Sequence, residues 1–201
     1  LKFFLFRKGP LTVGASYACG FIKSDPHLET PNLQFHISPA STDLLGKSSL
    51  HKFPAFTPTI TNIRPTSRGS IELKSPDTRI SPKIKMNYLS TYEDREIAGK
   101  SIKIVRNIVM NSKAYKPYEP EELRPGINIT DNEALATEAG KYANTIFHPV
   151  STCRMGKDDT AVVNDRLVAH GLENLRIVDA SVMPHITSGN TNAPTIMIAE
   201  K

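Results

Sequence analysis

The sequence predicts an α+β fold: an antiparallel sheet with flanking helices, followed by a C-terminal strand–loop–helix segment. Apolar residues alternate with polar ones over short stretches of the first half, then recur at helical spacing in the middle. The pattern changes again after His148, which predicts a change of domain there. We therefore expect one domain over residues 1–147 and the beginning of another over residues 148–201.

Three short stretches are typical of strands. In LQFHIS, Leu33, Phe35 and Ile37 alternate with polar residues, which predicts a half-buried strand. SRGSIELKS places Ile71 and Leu73 on one face and predicts a second strand. KIKMNYL predicts a third.

Two helices are predicted in the middle of the chain. Apolar residues at helical spacing run between Glu93 and Met110, and Thr91 with Asp94 forms a plausible capping box before them. A weaker helical pattern, DNEALATEAGKYAN, begins near Asp131. The proline-rich stretch between the two helices predicts a loop that is either ordered or mobile.

The C-terminal part predicts a strand and a helix. LRIVDAS is a short apolar stretch that ends in an acid, Asp179. TNAPTIMIAEK is typical of the first turns of a helix, because Asn192 can cap it and Pro194 has no N–H to lose there.

Composition excludes several classes of protein. The chain has 201 residues, is 39% hydrophobic and 22% charged, and resembles an ordinary globular protein in these respects. Its net charge is +5, but the 25 basic residues are scattered among 20 acidic ones, so we expect no nucleic-acid partner. No stretch approaches the roughly 18 apolar residues that a membrane span needs.

His148, in the segment HPVSTCRMG, is the first candidate for chemistry. Imidazole is the side chain that titrates unaided near neutral pH, so His148 could act as a general base. Pro149 would stiffen the backbone beside it, and Phe147 would help to exclude water. The alternative is a structural histidine bonded to a backbone carbonyl.

Two further places could contact a ligand. Asn190, Thr191 and Asn192 precede the last helix, where free N–H groups favour an anion or a developing negative charge. Asp179 follows an apolar stretch, as acids that contact ligands at sheet edges do. The alternatives are a simple helix cap and a turn residue that bonds its own backbone.

Metal and serine chemistry are not expected. The histidines and cysteines around His148 match no zinc-ligand spacing, so we expect no metal. Neither Ser151 nor Ser188 lies in a GxSxG turn, which a serine hydrolase of that type would need.

Three segments of the C-terminal part resemble, in order and spacing, the glucose–methanol–choline (GMC) oxidoreductase family. They are HPVSTCRMG, AVVNDRLVAHGLENLRIVDASVMP and SGNTNAPTIMIAEK, and IRPTSRGSIELKSPD upstream resembles the entry to the same region. FRKGPLT and LQFHISP resemble the insect, glucose dehydrogenase-like branch, so the resemblance covers nearly the whole chain.

The resemblance implies an FAD-dependent enzyme that oxidises the CH–OH group of an alcohol or sugar. The family's histidine base corresponds to His148, and its second active-site position, His or Asn, corresponds to Asn190. The cofactor contact at the acid and its small neighbour corresponds to Asp179 and Ala180. The flavin contacts at the start of the final helix correspond to Asn192, Ala193 and Pro194.

Two departures from the family matter. Ser151 stands where the family usually has glycine. No GxGxxG turn occurs among the chain's 11 glycines, although the family holds the ADP half of FAD with one. The chain starts without Met and ends within a helical pattern, so we expect a fragment that is inactive and binds FAD poorly when isolated. The alternative is a non-catalytic module that keeps the substrate domain for binding or interaction.

The resemblance leaves the substrate and the electron acceptor open. Nothing in the sequence separates a sugar from another alcohol, or oxygen from a quinone. Family analogy predicts that the parent protein is secreted, although the chain contains no signal peptide.

Overall fold

The computed structural model describes residues 2–9, 12, 14, 16–43 and 48–200. Pro10 and Leu11 of the FRKGPLT segment lie outside the described residues, as does Lys201 at the end of the last predicted helix.

The chain divides into two compact units that alternate along the sequence. The first unit comprises residues 1–62 and 95–144, and the second comprises residues 63–94 and 145–201. Residues 63–94 therefore fold with the segment that carries His148. The assignment of residues 1–147 to a substrate domain and of 148–201 to a flavin domain stays a prediction.

A three-stranded antiparallel sheet forms part of the first unit. Its strands are β1 (Ala18–Ile22), β2 (Leu33–Ser38) and β3 (Thr57–Asn62), in the order β1-β2-β3. β2 confirms the strand predicted over LQFHIS, but Gln34 on its polar face is as buried as Leu33 on the other face. The strand is therefore covered on both faces at this end, and the expectation that it is half-buried is wrong.

The predicted helices are confirmed. The first unit begins with the short helix α1 (Lys2–Phe6), and α2 (Tyr92–Asn111) runs into this unit from the second. α3 (Asn132–Tyr142) follows, and the Asp131 carboxylate caps it by accepting from the Ala134 N–H at 2.9 Å. Gly99 lets α2 approach α3 closely, since a Cβ there would lie 2.6 Å from the Asn132 carbonyl oxygen.

Arg106 of α2 holds the proline-rich loop between α2 and α3, which includes a 3-10 turn at Lys116–Tyr118. Its Nε donates to Glu122 at 2.7 Å, and its other nitrogens donate to the carbonyl oxygens of Gly126 and Ile129 at 2.8 and 2.5 Å. The Arg106 and Glu122 side chains are only 12% and 11% exposed. The loop is thus ordered by a nearly buried charge pair that satisfies its backbone oxygens.

The second unit combines a two-stranded hairpin with loops and the last helix. Strands β4 (Ser70–Glu72) and β5 (Lys83–Lys85) pair antiparallel and confirm the two other predicted strands. A 3-10 turn, Ala180–Val182, and the helix α4 (Asn192–Glu200) follow, and α4 confirms the predicted C-terminal helix. The apolar core of this unit consists of Ile63, Val163, Ala169, Val182 and Met183.

The LRIVDAS segment differs from its predicted strand. It makes one isolated antiparallel bridge, from Arg176 to Val168, and no longer ladder. Its partner segment contains Leu167, whose φ of 63° lies in the left-handed region and interrupts regular pairing. Asp179 therefore follows an irregular segment and not the end of a strand.

No helix among the described residues is long and apolar enough to cross a lipid bilayer.

The start of α2 carries a buried carboxylate. The Thr91 hydroxyl accepts from the Asp94 N–H at 3.3 Å, as a capping box requires. The Asp94 carboxylate, only 4% exposed, accepts from the N–H groups of Thr66 and Ser67 at 3.0 and 2.9 Å. Burial acts to raise the pKa of Asp94, but the hydrogen bonds from Ser67 and Thr66 outweigh it, and the pKa is lowered.

We predict that Asp94 stabilises the folded chain at neutral pH and that this contribution is lost in acid. Because its pKa is lower in the folded state, its stabilising effect is present above the unfolded-state pKa of ~3.9 and is lost as the pH falls below it. Urea unfolding of Asp94→Asn should therefore show reduced stability at neutral pH and a smaller difference from the unmodified chain in acid. Glu93→Gln, at the exposed neighbour, is the control. A difference that stayed constant with pH would contradict this role.

We also predict that Arg106→Ala lowers the free energy of unfolding by about 3 kcal/mol, because it leaves the Glu122 carboxylate buried without its partner. Urea denaturation monitored by circular dichroism measures this change. Arg79→Ala, which breaks the exposed pair with Asp77, should leave stability almost unchanged. Equal effects of the two substitutions would show that Arg106 does not hold the loop as described.

Candidate active site

His148 contacts two consecutive residues that lie 42 and 43 positions further along the chain. Its Nε2 lies 2.7 Å from Nδ2 of Asn190, and its Nδ1 lies 3.0 Å from the Thr191 hydroxyl. His148 is half-buried and Asn190 is exposed, whereas Thr191 is only 6% exposed. One nitrogen of the ring thus faces the buried side and the other faces a side that a ligand can reach.

The backbone on either side of His148 is constrained. Phe147 has a φ of 62°, which is unusual for a large side chain, and its N–H donates to the Thr145 hydroxyl at 3.0 Å. Pro149 restricts the other side. The Phe147 ring is 76% exposed, so within the described part of the chain it does not cover His148 as the sequence suggested.

Backbone hydrogen bonds join the segment after His148 to the region of Asp179. The N–H groups of Cys153 and Met155 donate to the carbonyl oxygens of Ser181 and Val182 at 3.1 and 2.8 Å. The Asp179 carboxylate accepts from the Ser181 N–H at 2.7 Å and from its hydroxyl, and so caps the 3-10 turn that begins at Ala180. In this structure the contacts of Asp179 are therefore those of a turn residue that bonds the neighbouring backbone, which was the alternative to a ligand contact.

The first turn of α4 directly follows the residues that contact His148. Asn192, Ala193 and Pro194 form this turn, so the cap position falls on Thr191 and not on Asn192. N–H groups in a first helical turn have no carbonyl partner inside the helix, and the helix dipole places partial positive charge there. α4 also contacts the 3-10 turn at Ala180–Val182, so these predicted cofactor residues belong to one local assembly.

A cavity of about 530 Å³ opens beside the His148 segment. Its lining comes from the second unit: Arg68, Ser151, Thr152, Arg154, Thr160, Val162, Pro184 and His185. Arg154 donates to Asp158 at 2.9 Å and holds the pKa of that carboxyl well below its usual range. His148 does not line this cavity.

In the described ranges, no group of three or more His, Cys, Asp or Glu residues could hold a metal ion.

The contact of Thr191 with His148 is the feature of this site that the sequence did not predict. The neighbouring residue Asn190 was identified through the family resemblance, whereas Thr191 was considered only as part of a helix start. Its burial and its contact with His148 depend on the approach of two distant segments.

The comparisons with known proteins identify the family. The profile of the GMC oxidoreductases matches residues 65–199, and the chain belongs to this family of flavoprotein oxidoreductases. The match includes His148, Asn190 and every predicted cofactor residue.

The curated relatives that the chain matches are much longer than this chain. It is 42% identical over 192 residues to the oxygen-dependent choline dehydrogenase of Pseudomonas savastanoi pv. phaseolicola, covering 94% of this chain and 34% of that protein. It is 43% identical over 194 residues to an alcohol dehydrogenase (acceptor) of Pseudomonas putida, covering 96% of this chain and 35% of that protein. The chain thus spans about a third of these relatives' length.

Solved structures have the same fold. Pyridoxine 4-oxidase from Mesorbium loti matches with a TM-score of 0.79 and 28% identity, covering 92% of this chain and 36% of that one. A formate oxidase of Aspergillus oryzae matches with a TM-score of 0.84 over 98% of this chain and 39% of its own. At 21% identity, the second match shows the fold alone. The predicted fold class is confirmed.

Ser151 has a φ of 77°, in the left-handed region that glycine adopts without strain. We predict that Ser151→Gly raises the free energy of unfolding by about 1 kcal/mol, because it removes the Cβ that makes this conformation costly. Ser151→Ala keeps the Cβ and should show no such gain in the same urea titration. A loss of stability in Ser151→Gly would contradict this account of the position.

Proposed function

We propose that this chain carries the proton-accepting part of a flavin-dependent enzyme that oxidises CH–OH groups. The observation that carries the proposal is the 2.7 Å contact between Nε2 of His148 and the side-chain amide of Asn190. A base and a hydrogen-bond donor therefore meet at one accessible point, which is what deprotonation of an alcohol requires. Membership of the GMC family supports the reaction class.

His148 would accept the hydroxyl proton. Asn190 Nδ2 can only donate, so Nε2 of His148 is the acceptor in their contact and carries the lone pair that a base needs. An alcohol that donates its hydroxyl proton to Nε2 would replace this contact. Removing that proton makes the carbon a better hydride donor, so a well-placed base raises the rate.

Asn190 would hold the substrate oxygen. Its amide carries two N–H groups and does not titrate, so it can donate to the oxygen without competing for the proton. As negative charge grows on that oxygen during proton transfer, the hydrogen bond from Asn190 becomes stronger. The two side chains would thus divide proton acceptance and charge stabilisation between them.

The backbone N–H donors in the first turn of α4 are chemically suited to contact a flavin. N–H groups and positive dipole character at Asn192 and Ala193 suit the negative charge of a reduced cofactor. We propose that these two residues and Pro194 lie against the ring, and that Asp179 and Ala180 contact the rest of the cofactor. When bound, FAD supplies the acceptor for the hydride that leaves the alcohol carbon.

The ADP half of FAD would need residues outside these 201. No GxGxxG turn occurs in the sequence, and the matched relatives are about three times as long. We therefore propose that the complete enzyme holds the pyrophosphate with another segment, and that this chain alone retains little FAD.

We further propose that the substrate is a small alcohol or a sugar. The relatives named choline dehydrogenase and alcohol dehydrogenase support an alcohol. Two segments support the glucose dehydrogenase-like branch, which they resemble in sequence: LQFHISP and FRKGPLT.

A chimaeric enzyme tests the function. This chain would replace the matching third of the Pseudomonas putida alcohol dehydrogenase, which shares 43% identity over 194 residues. The chimaera should bind FAD, and alcohol should reduce that flavin in a stopped-flow experiment. His148→Gln should slow flavin reduction by about 100-fold or more, since a positioned general base contributes at least that much.

His170→Gln is the matched control. His170 lies in the same unit, is exposed, and contacts the Gly156 carbonyl oxygen at 3.1 Å, so its loss should leave the reduction rate unchanged. The visible flavin spectrum must be retained in both variants. A chimaera that binds flavin but reduces it equally fast with and without His148 would refute the base. A flavin-loaded chimaera that no alcohol reduces would favour a non-catalytic module.

A further inference from the structure

Thr191 occupies the position that caps α4. It immediately precedes the first residue of the helix, and its carbonyl oxygen accepts from the Thr195 N–H at 3.0 Å and from the Thr195 hydroxyl at 2.7 Å. A threonine at this position ordinarily accepts, through its hydroxyl, an N–H from the second or third residue of the helix. Such a contact would use one of the two lone pairs of the Thr191 hydroxyl.

The sequence of α4 removes one of the two usual donors to a capping hydroxyl. The third residue of the helix is Pro194, which has no N–H. Among the described residues, the hydroxyl's hydrogen-bonding neighbour is the His148 ring, whose Nδ1 lies 3.0 Å away. In this structure the Thr191 hydroxyl instead contacts a residue 43 positions earlier in the chain.

The contacts of the ring select one tautomer. Since Nδ2 of Asn190 can only donate, Nε2 of His148 at 2.7 Å must accept. A neutral imidazole then carries its proton on Nδ1, which donates to the Thr191 hydroxyl at 3.0 Å. The Thr191 N–H, 3.4 Å from Nδ1, favours the opposite tautomer, and the Thr191 hydroxyl can donate to Nδ1 or accept from it. The shorter contact with Asn190, at 2.7 Å, therefore decides the tautomer, and the hydroxyl supplies the acceptor that a proton on Nδ1 needs.

We propose that Thr191 is a positioning residue whose hydroxyl accepts the Nδ1 proton of His148, and that this acceptor lets Nε2 stay unprotonated, as a base must be. The value of this tautomer for catalysis rests on the function proposed above, whereas the tautomer itself is a property of this chain. Thr191 acts through His148 and from the buried side of the ring. Its hydroxyl has the role that an orienting acceptor has for a catalytic histidine.

The test is the tautomer of His148 in the 15N-labelled chain of 201 residues, without flavin. Two-bond 1H–15N spectra at alkaline pH distinguish the protonated ring nitrogen from the unprotonated one, and the loss of signals in His148→Gln identifies the ring. The unmodified chain should show the proton on Nδ1. Thr191→Val should shift the tautomer ratio roughly fivefold towards Nε2–H, which corresponds to the loss of one hydrogen bond of about 1 kcal/mol.

Two further variants separate this role from helix capping. Thr191→Ser keeps the hydroxyl and should restore the tautomer of the unmodified chain. Thr195→Val removes a hydroxyl from the same helix without touching His148 and should leave the ratio unchanged. If Thr191→Val unfolds the chain, which circular dichroism reports, Thr191→Ala replaces it. A ring protonated on Nε2 in the unmodified chain, or a ratio that a folded Thr191 variant does not move, would overturn the proposal.

The proposed function fails by a different result. If His148→Gln leaves flavin reduction in the chimaera unchanged while Thr191→Val moves the tautomer, His148 is not the base but Thr191 still orients its ring. If the tautomer is insensitive to Thr191 but His148→Gln abolishes reduction, the base stands and the positioning role falls.

Discussion

The candidate site depends on one constraint: a half-buried imidazole is held on both of its nitrogens by two neighbouring residues. Asn190 contacts Nε2 and Thr191 contacts Nδ1, at 2.7 and 3.0 Å. Because one contact is exposed and the other is buried, the ring presents a single nitrogen to a ligand. If a base is already oriented before the substrate binds, the entropic part of the activation free energy is smaller.

The surrounding structure maintains this arrangement through local features. Phe147 and Ser151 have positive φ values on either side of the histidine, so the segment turns sharply. Hydrogen bonds from Cys153 and Met155 then bind the segment to the 3-10 turn at Ala180–Val182. Residues in unfavourable backbone conformations persist where surrounding contacts require them, and such residues cluster at functional sites.

Much of the fold could be predicted from sequence, and the failures have identifiable causes. Helices α2, α3 and α4 follow from apolar periodicity and from capping residues such as Asp131, which are local signals. β1 and β3 were missed because Thr57–Asn62 and Ala18–Ile22 alternate weakly and become strands by pairing with β2. The strand expected before Asp179 does not form a ladder, because Leu167 interrupts its partner.

At the site, the family resemblance points to His148 and Asn190, whereas the sequence pattern places Thr191 only in a helix start that could bind an anion. A threonine before a helix predicts a cap. The sequence adds only that Pro194, the third residue of the helix, has no N–H to donate to the Thr191 hydroxyl. The hydroxyl's contact with His148 arises from tertiary structure, across 43 residues. The sequence could therefore indicate the proposed reacting groups but not the residue that contacts the buried side of the ring.

The most direct measurement is the scalar coupling between 15N nuclei across the contact of His148 and Asn190 in the labelled chain. We expect a correlation from Nδ2 of Asn190 to an unprotonated Nε2 of His148, since these atoms lie 2.7 Å apart with the amide as donor. A proton on Nε2, together with an Asn190 amide that shows no coupling to the ring, would contradict it.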